Sequence, residues 1–238
     1  MANKGTLFLI PNLIAPASGT AVLSPMVFET LPRIRHFLAE DIRSARRYFS
    51  KLQIFEAIED LHFVVLNKDS REEDLNELMK PLLDGFNMGV ISESGCPGVA
   101  DPGSLAVRYA HGIGAAVVPL VGPSSITLSV MASGLNGQRF AFNGYLPIGQ
   151  GSDRVIREFE KKSRKKGQTQ IFIETPYRNN VIYQRLIKNL HPETWLCVAL
   201  DLTGPDQRIT TQRVAQWKKS KTEWPKRPAV FLFLATHD

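Results

Sequence analysis

Short apolar runs alternate with amphipathic stretches along the first half of the chain. Thr6 to Ile10 is an apolar run closed by Pro11, the pattern of a strand. Ser24 to Leu38 reads as a helix interrupted by Pro25 and Pro32, and Ile42 to Lys51 as a short helix with Arg43, Arg46 and Arg47 on its polar face. Phe63 to Leu66 and Met88 to Ser92 read as strands. Between them, Arg71 to Gly85 places Leu75, Leu78, Met79 and Leu82 on one helical face. Ser104 to His111 reads as a helix stopping at Gly112, with Ser104 as its cap. Ala115 to Val121 reads as a buried strand, and Ser124 to Ser133 as a helix stopped by Gly134.

After Gly134 the alternation restarts. Phe140–Tyr145, Thr169–Glu174, Trp195–Asp201, Arg208–Val214 and Ala229–Leu234 read as strands, and Asp153–Lys166 and Tyr177–Leu190 as helices. Strands alternating with helices predict α/β layering, with mainly parallel pairing in the first half. The segment Leu135 to Arg139 is the natural boundary, giving an N-terminal α/β domain over 1–134 and a C-terminal one over 135–238. The two halves are not repeats of each other.

Composition narrows the class. With 238 residues, 43% hydrophobic and 22% charged, the chain has material for a substantial core and is not predominantly disordered. No apolar run approaches the roughly 20 residues a membrane span needs, so no membrane partner is expected. Without a charged start leading into an apolar run and a cleavage site, a cytoplasmic location is expected. Cys96 and Cys197 are too few and too far apart for a disulfide framework or a zinc motif. The five histidines show no metal-ligand spacing, so no metal is expected. Charge is uneven: residues 1–150 carry 12 basic against 14 acidic side chains, residues 151–238 carry 17 against 9. A basic half suggests an anionic partner such as nucleic acid. The run Lys161-Lys162-Ser163-Arg164-Lys165-Lys166 supplies much of the excess and reads equally as a solvated helix face.

Four turn-rich segments follow strands and are the places where chemistry is expected. The longest is Ser92 to Gly103, with Gly95, Gly98, Pro97 and Pro102. Ligands of open α/β sheets bind in such loops, at the carboxyl ends of strands. Glycines let backbone amides approach a ligand, and prolines reduce the ordering entropy of binding. The second, Val121 to Ile126, offers helix-start amides and the Ser124 and Ser125 hydroxyls. It lacks the glycine spacing and the Lys-Ser/Thr pair of a phosphate loop. The third is Ala39-Glu40-Asp41-Ile42-Arg43, a substrate-binding or merely structural cluster. The fourth is Phe172 to Arg178, where Glu174 at a strand end suits a ligand amine or a helix cap. No dinucleotide fingerprint follows the first strand.

In this order the segments resemble the tetrapyrrole methylase superfamily of S-adenosylmethionine-dependent methyltransferases. They are most similar to the branch that methylates a ribose 2′-hydroxyl of small-subunit ribosomal RNA. That branch carries Ser-Asp-Ala-Gly-Thr-Pro-Gly-Ile-Ser-Asp-Pro-Gly after its fourth strand, matched here at Ser92, Gly95, Pro97, Gly98, Asp101, Pro102 and Gly103. Further matches are Ala39 to Arg43, Pro119 to Ser124, Phe142 to Pro147 and Glu174 to Arg178. Any one of these motifs is weak, and five in order are strong. The differences are Pro11-Asn12-Leu13-Ile14 in place of Thr-Pro-Ile-Gly, Glu93 for Asp, Cys96 for Thr, and Leu200 to Gly204 in place of Arg-Glu-Leu-Thr-Lys. They imply a retained donor pocket and an altered substrate side.

The resemblance implies two α/β domains with S-adenosylmethionine in a cleft between them, and a homodimer. Carried over by position, the cofactor-binding set is Ile14, Ser94, Gly95, Cys96 and Val99, then Ser125 and Ile126, then Glu174, Thr175, Leu200, Pro228 and Ala229. A hydroxyl acceptor must lose its proton, and Glu40, Asp41 and Glu93 are the candidate bases. Two other functions compete: methylation of a small tetrapyrrole-like molecule, and a non-catalytic RNA-binding relative. The lack of the corrinoid branch's early glycine-rich turn counts against the first.

Overall fold

A computed structural model describes residues 4–101, 103–147, 149, 151–220 and 222–236. It divides into two compact units, one of Met1–Leu13 with Ser18–Ser124 and one of Ile14–Ala17 with Ser125–Asp238.

The first unit is a parallel sheet layered with helices. Its strands are β1 (Thr6–Ile10), β2 (His36–Ala39), β3 (His62–Val65), β4 (Met88–Ile91) and β5 (Ala116–Pro119), in the order β3-β2-β4-β1-β5. Every pairing is parallel, so all five strands end at one edge. Its helices are α1 (Pro25–Thr30), α2 (Ile42–Leu52), α3 (Leu75–Leu78), α4 (Lys80–Leu83) and α5 (Ser104–Gly112). One apolar cluster packs Phe37 and Phe49 with Ile10 and Leu31. Another packs Met79, Leu82, Met88 and Ala110 with Leu7. Gly89 in β4 is required by this packing: a Cβ there would lie 2.3 Å from Ile10 Cδ1.

The second unit is a mixed sheet. Its elements are α6 (Ser125–Ser133), β6 (Phe140–Tyr145), α7 (Gly151–Lys166), β7 (Thr169–Glu174), α8 (Asn179–Asn189), β8 (Trp195–Leu200), β9 (Arg208–Arg213), α9 (Val214–Trp217) and β10 (Ala229–Leu234). The strand order is β6-β7-β10-β8-β9. β6 pairs parallel to β7, and the three remaining pairings are antiparallel. One face buries Phe172, Phe231, Phe233, Tyr183 and Trp217. The other buries Ile171, Cys197, Val230 and Leu232 with Ile14, and Ile126 of α6 packs there too. The contacts therefore divide the chain at Ser124/Ser125, whereas the hydrophobic pattern divides it at 134/135; α6 is the segment in between.

Four elements differ from the sequence expectation. Ser24 to Leu38 is not one helix: α1 ends at Thr30, Leu31–Arg33 is a 3-10 turn, and His36–Ala39 is β2, flanked by strands on both sides. Pro32 disfavours helix at Leu31 and ends the run, and the apolar face beyond it belongs to a sheet. Arg71 to Gly85 is a 3-10 turn followed by α3 and α4, because Pro81 starts a new helix. The intended face still buries Leu75, Met79 and Leu82. β5 is an edge strand rather than a buried one, and Val121 is 67% exposed. At α5 the cap is Gly103 with no side-chain bond, so Ser104 is the first helical residue and not the cap.

Candidate active site

The first unit gathers its chemistry at the edge where its strands end. Ala39, Ile91 and Ile10 lie in one register row across β2, β4 and β1, so Glu40, Ser92 and Pro11 each follow directly after it. The β1 exit is tied down from several sides. Asn12 is buried, its backbone N–H donates to the Gly95 carbonyl at 2.8 Å, and its side-chain amide donates to the Ser92 and Glu93 carbonyls at 2.9 and 3.1 Å. The Tyr48 hydroxyl of α2 donates to the Pro11 carbonyl at 2.7 Å, and burial raises its pKa. Gly122 is packed so closely that a Cβ would lie 2.1 Å from Pro11 Cβ.

These bonds hold the loop after β4 in an uncommon shape. Gly95 and Gly98 have φ of 71° and 80°, and Ala100 also has a positive φ, 66°. Glycine takes that conformation freely; alanine is strained in it. Ser94 Oγ lies 3.4 Å from the Leu13 carbonyl. The Cys96 thiol lies 3.5 Å from the Pro123 carbonyl, and burial raises its pKa. Val99 is 48% exposed.

Carboxylates surround this loop. Asp41 caps α2, accepting from the Ser44 N–H at 2.6 Å, and that bond lowers its pKa. Glu93 Oε1 lies 3.4 Å from Ser44 Oγ. Glu40 and Asp101 line one small hollow with Ser92, Pro97 and Gly103. Burial first, then the Glu40 charge, push the Asp101 pKa up to about 6. Asp101 is a motif residue of the sequence but lies outside the expected catalytic set of Glu40, Asp41 and Glu93. The signal that would have marked it is its place in the loop opposite Glu40, which sequence spacing does not reveal.

The second unit collects the remaining expected residues at one sheet edge. Ala229 pairs with Glu174 on one side and Leu200 on the other, and Leu200 pairs in turn with Arg208. Glu174, Ala229, Leu200 and Arg208 thus form one row across four strands, roughly 15 Å wide at the usual strand spacing. Pro228 accepts from the Asp201 N–H at 2.8 Å. Glu174 is buried and committed to its own turn: Oε1 accepts from the Thr175 N–H at 2.8 Å, and Oε2 makes an ion-pair contact with Arg178 Nη2 at 3.2 Å. Ser125 begins α6, and Ile126 and Ile14 meet in the apolar cluster below the sheet.

These residues fit a methyl donor in kind. The Ser94 to Val99 loop carries Gly95 and Gly98 at positive φ, where no side chain covers the backbone amides. At the other edge, Asp201 is buried with φ 48°, and its Oδ1 has no hydrogen-bond partner among the described residues. An orphaned buried acceptor beside Leu200 suits the amino or hydroxyl donors of a nucleoside or amino acid. Among the described residues no cluster of potential metal ligands occurs, and no helix is long and apolar enough to cross a membrane.

Known proteins complete the picture. No family model matches the chain. It is 26% identical over 234 residues to the ribosomal RNA small subunit methyltransferase I of Leptospira biflexa, covering 98% of this chain and 92% of that one. The Haemophilus influenzae protein of the same name is 25% identical, over 94% of this chain and 75% of its own. The Xylella fastidiosa one is 32% identical over a shorter stretch, 62% of this chain and 51% of that relative. Among solved structures, the methyltransferase CobJ superposes over 98% of this chain with a TM-score of 0.60 at 15% identity. A uroporphyrin-III C-methyltransferase from Thermus thermophilus does so over 97% with a TM-score of 0.56 at 16% identity. Along nearly its whole length the chain is similar to proteins named ribosomal RNA small subunit methyltransferase I, and it shares the fold of these two solved methyltransferases. It is a methyltransferase whose methyl donor is S-adenosylmethionine. The likeness to the solved structures establishes the fold; the sequence relatives carry the activity.

Proposed function

We propose that the protein methylates a ribose 2′-hydroxyl of small-subunit ribosomal RNA. The relatives named for that RNA align along nearly the whole chain, and the carboxyl pair Glu40–Asp101 supports the hydroxyl chemistry. S-adenosylmethionine supplies an electrophilic methyl group on a sulfonium. Ser94, Gly95, Cys96 and Val99 are the proposed donor-binding loop in the first unit. Ser125, Thr175, Leu200, Pro228 and Ala229 are the proposed donor-binding positions of the second, together with buried Ile14 and Glu174 and partly buried Ile126. Asn12 and Tyr48 keep the loop in place, so little ordering is needed on binding.

A ribose hydroxyl is a poor nucleophile until its proton leaves. Above pH 6 Asp101 is ionised, and its carboxylate takes that proton. Glu40 keeps the Asp101 proton affinity high enough to be useful near neutral pH. Glu93 adds negative charge beside the pair, while Asp41 holds α2 in position. A homodimer in the cytoplasm is part of the same reading, and light scattering at micromolar concentration tests the dimer.

The deciding experiment incubates tritium-labelled S-adenosylmethionine and the protein with ribosomal subunits, naked RNA and a small-molecule extract. Label in small-subunit RNA, at a 2′-O-methyl nucleoside, is the expected result. Label confined to small molecules overturns the RNA reading in favour of a tetrapyrrole-like acceptor. No label, with no donor binding in calorimetry, leaves a non-catalytic relative.

A further inference from the structure

Tyr177 is 78% exposed, an unusual place for a large ring on a rigid turn. It occupies the 3-10 turn Pro176–Arg178 that follows Glu174 directly. The backbone beneath it is held tightly. Arg178 N–H donates to the Thr175 carbonyl at 2.9 Å, and the Arg178 guanidinium bridges Glu174 and the Leu146 carbonyl. The Lys226 ammonium lies 5.3 Å from the ring centroid, a cation–π contact. Arg227, paired with Asp206 at 2.7 Å, and Arg208, over the Trp224 ring, flank the same edge. Tyr145, 57% exposed, ends β6 in register with Ile173, next to this turn.

The conspicuous basic run of the sequence lies elsewhere. Lys161, Lys162, Lys165 and Lys166 are exposed on the last turns of α7, which leads into Thr169 at the start of β7. Glu174 and Tyr177 are at the other end of β7, about 17 Å along the strand. Residues expected at the donor, an exposed ring and a cation beside it share one end of the second unit, while the lysine cluster occupies the opposite end.

We propose that Tyr177, with Lys226 beside it, is a stacking step for an unpaired base of the RNA substrate. The proposal rests on the ribosomal RNA reading above and adds to it the form of the substrate: a nucleotide in a loop or single strand, not in a helix. Every base has a face that an aromatic ring can stack on, and a neighbouring ammonium meets the adjoining phosphate. A helical target would present no free base face to the ring.

The test measures binding of a fluorescently labelled single-stranded oligoribonucleotide and of its duplex by anisotropy, and tritium transfer to small ribosomal subunits. The wild-type protein is expected to prefer the single strand. Tyr177→Ala should weaken single-strand binding about tenfold or more, raise the KM for RNA and leave donor affinity in calorimetry unchanged. Tyr177→Phe should behave as wild type, since it keeps the ring. Lys226→Gln should reduce the log–log salt slope by about 0.7, one phosphate contact. A wild-type protein that labels RNA, with a Tyr177→Ala variant of equal KM and equal single-strand affinity, overturns the stacking proposal alone. Equal losses in the Phe and Ala variants overturn it too, since the hydroxyl and not the ring would then matter. A wild-type protein that neither binds nor labels RNA overturns the functional reading and this proposal together.

Discussion

The side-chain amide of Asn12 donates to the carbonyl of Ser92 at 2.9 Å, binding the exit of β1 to the exit of β4. Together with its backbone N–H bond to the Gly95 carbonyl, Asn12 holds the loop after β4 in place. Asn12→Ala should leave buried carbonyls unpaired, costing about 1–3 kcal/mol of stability. The loosened loop should also bind S-adenosylmethionine more weakly. Thermal denaturation and calorimetry read both effects, and an unchanged donor affinity would separate the loop's shape from binding.

Gly95 has φ 71° and its carbonyl accepts from Asn12. Gly95→Phe places a large ring at a strained backbone position within the proposed donor loop. It should abolish donor binding in calorimetry while the far-ultraviolet circular dichroism stays that of the wild type. Retained affinity would remove this loop from the donor site.

The Asp101 carboxyl is raised from 3.8 to about 6. The folded protein therefore holds this proton more tightly than the unfolded chain. Its contribution favours folding below about pH 4 and is lost as pH rises to about 6. Asp101→Asn removes that dependence, so the variant should gain stability relative to wild type across this window and keep a constant difference above it. Methyl transfer has the opposite sign: the wild-type rate should rise through about pH 6 as the base ionises. Asp101→Asn should lower it by about 100-fold or more. A flat wild-type pH–rate profile from 5 to 8 would refute the proton-acceptor role.

The basic turns of α7 should matter for affinity and not for chemistry. Arg164 Nε lies 3.4 Å from the Thr236 carbonyl, and Lys162 stands over Phe159, so the run is partly anchored to its own unit. Replacing Lys161, Lys162, Arg164, Lys165 and Lys166 by Gln should flatten the salt dependence of RNA binding by about 0.7 per lost contact and raise the KM for RNA. Donor affinity should not change. Wild-type efficiency at every salt concentration would make this face a solvated surface only.

Much of this protein is legible along the chain. The alternation of apolar runs and amphipathic stretches predicts two α/β layers, and turn residues at strand ends mark Ser92–Gly103 and Glu174–Arg178. Such signals are local: periodicity, glycine at positive φ and proline need only near neighbours to act. Local signals also mislead. β2 sits within a helical pattern at His36–Ala39 because a strand buried on both faces is uniformly apolar, and only its neighbours β3 and β4 decide the matter. The partners of α6 were equally out of reach, since Gly134 marks where that helix stops and not which sheet it covers. Ala229 lies between Glu174 and Leu200 because β10 runs antiparallel to both flanking strands, so its beginning meets their ends. Asp101 likewise acquires its raised proton affinity from burial and from Glu40, 61 positions away in the sequence. Spacing along a chain fixes which side chains exist and which local shapes they favour. Pairing across a sheet, and the desolvation that moves a proton, exist only once distant segments are packed together.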